Sequence, residues 1–182
     1  MSELKIGAVM ADETIYAGIS PVTNKLLFVM PMDEPLMGYN ETNERAIVIN
    51  RDKAYGHDDW RVPTQSELTV IYKNKEKGRL KGTFNEAGEG KPFEPLMTRT
   101  CPGEYRASDQ GQGFCTKGLV LKNGSRIDIL TMETCSVRFV RAVDASAGSA
   151  LQTKEEAAAQ KTLALQQRLK EISQKRKSKL NI

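Results

Sequence analysis

The residues of this 182-residue chain best equipped for chemistry are one histidine, three cysteines and a few clustered charges. His57 is followed by Asp58 and Asp59, a grouping that invites acid–base or metal chemistry. A general base needs a partner held within hydrogen-bond reach. Adjacent side chains in a loop rarely converge on one point, so the expectation here is a solvated turn. Asp12, Glu13, Asp33 and Glu34 form no recognisable carboxylate pair. Cys101, Cys115 and Cys135 are odd in number and widely spaced, with no Cys-x-x-Cys. With a single histidine, that argues against a zinc site. Reduced thiols are the plain expectation, and a Cys115–Cys135 disulfide the alternative. Arg138 and Arg141 could bind an anion, but arginines so placed more often satisfy internal carboxylates and carbonyls. No catalytic residue, metal or cofactor is expected.

The elements that must position these residues read as strands, then two helices, then strands. Alternation marks strands over Ile6–Met10 and Thr14–Ile19, and Leu26–Met30 follows a Pro-Val-Thr-Asn-Lys loop, as in a hairpin. A helix over 41–55 has Asn40 or Thr42 to cap it, Ala46, Ile47, Ile49 and Ala54 as an apolar face, and Gly56 to stop it. A second helix over 65–77 has the best local signature. Thr64 and Glu67 are spaced for a reciprocal capping box, Pro63 precedes them, and Leu68, Ile71 and Tyr72 share one face. Residues 82–100 form a long glycine- and proline-containing excursion. Asn123-Gly124 joins 114–122 to 126–130 as a hairpin with a type I′ turn. Ser136–Val143 is one last strand. Trp60, the only tryptophan, is read as a buried anchor rather than a binding surface.

Charge is unevenly spread. The net +4 of the chain hides a tail, residues 151–182, with eight Lys/Arg against three Glu, so the rest is close to neutral. The domain boundaries expected are 1–144 for a globular unit, 145–150 for a small-residue linker and 151–182 for a basic helical tail. The tail has helix-forming composition without Gly or Pro, and helix is expected over 151–177. Ala158, Leu165, Leu169 and Ile172 lie on one stripe, too short to be stable alone. Lys170, Lys175, Arg176, Lys177 and Lys179 give it a basic end suited to an acidic surface. Nucleic acid is disfavoured as a partner, because no aromatic side chain is present there to stack on bases. No apolar run approaches the ~20 residues needed to cross a bilayer, and no signal peptide is evident.

Three segments together resemble a known family: His57 to Leu68 (HDDWRVPTQSEL), Glu104 to Ser108 (EYRAS) and Ser136 to Arg141 (SVRFVR). Trp60, Arg61, Pro63, Thr64, Glu67, Tyr105, Ser108, Arg138 and Arg141 carry the likeness. In wording and order they are similar to the domain at the C-terminus of the Legionella collagen-like adhesin, found in bacterial and phage proteins. Thr14 to Pro21 also looks like openings common in prophage-encoded members. The resemblance covers about residues 13 to 143. It implies an α+β, C-type-lectin-like fold: two helices and a curled, mostly antiparallel sheet closed by its terminal strands, here with a C-terminal helix added. Arg106 stands where the family usually has Trp, and Phe139 where it usually has Cys. Calcium-dependent sugar binding is not expected, since Glu94-Pro95-Leu96 lacks a third oxygen ligand.

The resemblance and the tail together lead to one expectation. The chain is a non-enzymatic structural or binding module of a phage or prophage virion, made in the cytoplasm and used for assembly or surface attachment. Its partners would be other virion or assembly proteins, with sister copies possible through the tail and a cell-surface ligand possible on the domain. The alternatives are a bacterial adhesin or ligand-binding protein and, more remotely, an oxidase related to formylglycine-forming enzymes. The oxidase would need a reactive cysteine pair that these spacings do not announce.

Overall fold

The structure, a computed structural model, describes residues 4–87, 99–146 and 152–180, with side chains of the last helix described through 171. Its class is α+β. The elements in chain order are β1 (Ile15–Ile19), β2 (Leu26–Val29), β3 (Glu34–Met37), α1 (Tyr39–Arg51), α2 (Gln65–Asn74), β4 (Thr100–Gln110), β5 (Cys115–Val120), β6 (Arg126–Leu130), β7 (Thr134–Val137), β8 (Val140–Val143) and α3 (Lys154–Leu180). The strands form two open sheets in place of the single closed sheet expected. One has the order β1-β2-β8 and the other β3-β7-β4-β5-β6, with β4 and β7 parallel and every other pair antiparallel.

The expected last strand is in fact two. Val137, Arg138, Phe139 and Val140 are all buried, so strict in–out alternation fails there. Val137 and Phe139 pack with Trp60 in one apolar cluster, while Val140 belongs to the larger core under α2. The chain meets both demands by leaving the five-stranded sheet after Val137 and joining the three-stranded sheet at Val140. This crossing links the two sheets.

The β1–β2 hairpin forms as expected, with a bulge between Tyr16 and Gly18. Ile6–Met10 is not a strand. Gly7 has φ +82°, and the segment pairs with β1 through the Val9–Ile15 bridge and bonds such as Gly7 N–H to Tyr16 O at 2.8 Å. Helix α1 starts two residues early, where the Glu41 carboxylate accepts from Gly38 N–H at 2.8 Å. It stops at Arg51 because Lys53 turns left-handed, and Ile47 faces solvent rather than the core. Helix α2 has its reciprocal cap: Thr64 Oγ1 accepts from Glu67 N–H at 3.2 Å, and Glu67 Oε2 from Thr64 N–H at 2.9 Å. It ends at Asn74, short of the expected 77. Leu68 and Ile71 are fully buried beneath it.

The β5–β6 hairpin turns at Asn123-Gly124, though not as type I′. Only Gly124 has positive φ (+77°), and the turn closes with Gly124 N–H to Val120 O at 2.8 Å and Val120 N–H to Ser125 O at 2.9 Å. That matches a longer loop ending in a left-handed glycine. Gly124 is doubly required, since a Cβ there would lie 2.5 Å from the Tyr72 ring of α2. Part of the expected 82–100 excursion lies outside the described residues, and so does the Glu94-Pro95-Leu96 segment.

Helix α3 begins after a second capping box, in which Thr153 N–H donates to Glu156 Oε2 at 3.0 Å and Glu156 N–H to Thr153 Oγ1 at 3.2 Å. Its 27 residues make a rod of about 40 Å. The rod is rooted on the domain by Ala11 N–H to Gln152 O and Lys154 N–H to Val9 O, both 2.8 Å, and by Lys154–Glu13 at 2.9 Å.

One close approach makes the fold sharply testable. Gly7 and Gly78 face each other, with Arg79 N–H donating to Gly7 O at 3.0 Å; a Cβ on Gly78 would sit 2.7 Å from Gly7 O, at φ +50°. Gly78→Ala is expected to lower unfolding free energy by about 1–3 kcal/mol, measured by urea denaturation of the full chain.

Candidate functional site

The residues that carry the family resemblance converge on buried charges. Glu67 is fully buried at the N-terminus of α2. Arg61 grips it with both terminal nitrogens, Nη1 to Oε2 at 2.7 Å and Nη2 to Oε1 at 2.6 Å. Ser20, in the β1–β2 turn, donates its hydroxyl to Oε1 at 2.6 Å. Burial alone would raise the Glu67 pKa, but the hydrogen bonds from Arg61, Ser20 and Thr64 overturn that and hold it at about 2. Arg61 is fixed in turn by backbone pairing with Val140 of β8, 2.9 Å in both directions. Trp60 is 2% exposed and donates its indole N–H to Ala54 O at 2.8 Å. The backbone of Trp60 is clamped by the Asn50 amide, which both accepts from its N–H and donates to its carbonyl at 2.8 Å. Pro63 O accepts from Ser108 N–H at 2.9 Å, tying β4 to the same segment; the Ser108 residue itself is exposed.

A second hub surrounds Arg138. Its Nε donates to Asp33 Oδ1 at 2.6 Å and Nη1 to Met30 O at 2.6 Å, while Nη2 donates to Thr83 O and the guanidinium lies 4.3 Å from the Phe84 ring centre. Tyr105 donates its hydroxyl to Asp33 Oδ2 at 2.5 Å. Burial, with Asp33 beside it, pushes the Tyr105 phenol well above its usual value, so it stays protonated as a donor. Asp33, which the sequence placed in no recognisable carboxylate pair, therefore holds β4 to the β7–β8 crossing.

His57 has partners as well, which sequence spacing did not suggest. Its Nε2 lies 2.7 Å from Asp12 Oδ2 and 3.2 Å from Arg141 Nη1, and Arg141 Nε donates to Asp59 at 2.8 Å. The convergence is with residues distant in sequence, across the root of α3, and not with Asp58. Burial would raise the Asp12 pKa, but hydrogen bonds from His57 and Thr14 lower it overall. Lys53, at 3.5 Å, pairs with Asp58 on the surface.

Arg106 occupies a third buried position, 1% exposed, in β4. It donates to Thr116 Oγ1 at 2.8 Å, Glu133 O at 2.7 Å and Leu130 O at 3.2 Å. All three cysteines are free thiols, and the neighbour of Cys135 is Cys101, not Cys115. In the tail, Leu165 and Leu169 are about 60% exposed, Leu163 likewise, and Ala158 and Lys170 face solvent. Of the expected stripe, Ala158, Leu165 and Leu169 are therefore not covered by their own domain. The backbone of Ile172, Lys175, Arg176, Lys177 and Lys179 is helical; their side chains lie outside the described residues. A cleft of about 540 Å³ beside the tail root is lined by Val9, Glu13, Ile15, Arg79, Lys81 and Lys154 among others, with Glu13 already bound to Lys154. No helix among the described residues is long and apolar enough to cross a membrane.

No protein-family model matches the chain, and no curated protein matches it significantly.

Glu67 makes the acid behaviour of the fold predictable. Its folded pKa is depressed from 4.5 to about 2, so its contribution is fully present above pH 4.5 and is lost as pH falls towards 2. The contribution is at most about 3 kcal/mol, reduced because Arg61 is partly open to water. Glu67→Gln is expected to be less stable at pH 7 and to lose less stability than the parent between pH 4.5 and 2. Denaturant titrations across that range measure both.

Proposed function

We propose that this chain is a non-enzymatic binding and assembly module of a phage or prophage virion. In this reading a C-type-lectin-like domain is held to a neighbouring protein by the basic helix α3. The lectin-like assignment rests on the resemblance of the His57–Leu68, Glu104–Ser108 and Ser136–Arg141 segments, and the virion setting on the likeness of Thr14–Pro21 to prophage-encoded openings and on the appended helix. The non-enzymatic reading is supported by how the charged groups are used. Glu67, Asp33, Arg61 and Arg138 are consumed in mutual hydrogen bonds that join strands and helices.

The observation that carries the attachment reading is the course of α3. After its first turn it leaves the domain with Leu163, Leu165 and Leu169 exposed. An isolated helix of this composition is marginal in water, and such leucines gain from burial against another surface. Lys170, Lys175, Arg176, Lys177 and Lys179 then favour an acidic partner. Parallel packing of sister copies would instead bring these like charges together.

The test is a truncation after Gln160, which keeps the capped root of the helix, alongside the double substitution Leu165→Asp, Leu169→Asp. Both are expected to melt like the full chain yet to lose incorporation into the particle or partner complex. The binding of the full chain should weaken as salt is raised. Undiminished incorporation of either variant would assign attachment to the domain and remove the role of α3.

A further inference from the structure

We propose that Cys101 and Cys135 form a modification site, a buried dithiol that closes to a reversible disulfide across β4 and β7 by exchange with a small-molecule disulfide. The two residues are direct partners in the parallel β4–β7 register. Neighbouring strands lie about 4.8 Å apart, inside the Cα separation of about 4.4–6.8 Å that a disulfide spans. Both residues are fully buried, and their sulfurs and a Glu133 carboxylate oxygen lie within 4.8 Å of one another. Cys115 sits elsewhere, opposite Leu130 in the β5–β6 pair.

The same three side chains have the composition of a metal site, and the surrounding charges decide between the two. Glu133 has both oxygens engaged, Oε1 by Arg99 Nη1 at 3.0 Å and Oε2 by Leu130 N–H at 3.1 Å. The Arg106 guanidinium lies 3.9 Å from Cys135 Sγ. Two guanidinium groups oppose a bound cation but stabilise a thiolate. Arg106 is buried with its Nε unpartnered among the described residues and its Nη2 facing the Cys135 sulfur, which disfavours a cation there.

Cys101 lies at the start of β4, beside the exposed Thr100, and is the sulfur reached first when the sheet opens. Its thiolate attacks one sulfur of the small disulfide. A Cys101 mixed disulfide forms and one small thiolate leaves. Cys135 then gives up its proton and attacks the Cys101 sulfur, expelling the second small thiolate. Two protein thiols are oxidised and one small disulfide is reduced to two thiols. Because both sulfurs are buried, exchange proceeds during folding or through transient opening of the sheet.

The test refolds the full reduced chain in an excess of oxidised over reduced glutathione, alkylates it under denaturing conditions and maps the peptides by mass. The expected product is one Cys101–Cys135 linkage with Cys115 alkylated, reversed by reductant. It should melt several degrees higher than the reduced form, because the bond closes the segment 102–134 in the unfolded chain. Cys115→Ser should give the same linkage. The wild-type map stands even where Cys101→Ser or Cys135→Ser fails to fold. A principal linkage through Cys115, complete alkylation of all three thiols, an unchanged or lowered melting point, or stoichiometric zinc retained by the dialysed reduced protein would each overturn the proposal.

Discussion

A fully buried carboxylate is tolerable only when its lone pairs are met by donors. Glu67 meets that constraint with two nitrogens of Arg61, the Ser20 hydroxyl and the Thr64 amide. These donors come from the β1–β2 turn, the segment leading into α2, and the helix cap itself. Satisfying one charge therefore fixes where α2 begins, where the first hairpin ends and how the preceding segment lies. Because Arg61 also pairs its backbone with Val140, the same constraint reaches β8 and closes the three-stranded sheet against the helix. Trp60 is placed by its neighbour and fills the space between α1 and the β7–β8 crossing.

Arg138 plays the corresponding part for the five-stranded sheet. It sits where the chain passes from one sheet to the other, and its guanidinium binds Asp33 and two carbonyls. Its burial, between Val137 of one cluster and Val140 of another, accompanies the break in an apparently continuous strand. The crossing aims the guanidinium at acceptors from the segments after β2 and before β4, namely Met30, Asp33 and Thr83. Together the two hubs use Arg61, Glu67 and Arg138 for architecture.

Local signals were legible in the sequence and distant ones were not. The Thr64–Glu67 box, the Asn123-Gly124 turn and the burial of Trp60 follow from short-range chemistry and appear where expected. Strand β4 was hidden because Pro102, Gly103 and the buried Arg106 spoil its alternation. Strand β3 was hidden by Pro35 in a four-residue edge strand. The His57–Asp12 and Arg138–Asp33 pairs join residues far apart in the chain, so no spacing announces them. The Thr153–Glu156 box could have been read, since it repeats the pattern at 64–67 and marks where α3 starts.

If the segment 57–68 is a scaffold, its Arg61–Glu67 pair must be strongly coupled in the folded state. The direct measurement is a double-mutant cycle on unfolding free energy with Arg61→Ala, Glu67→Ala and the double variant at pH 7. The account predicts that Arg61→Ala, which strands the buried Glu67, costs about 3–5 kcal/mol, that Glu67→Ala costs less because Arg61 is partly open to water, and that the double costs less than their sum, with coupling above about 2 kcal/mol. Additive losses with coupling below about 0.5 kcal/mol would contradict it, and would free Arg61 and Glu67 for a role outside the fold.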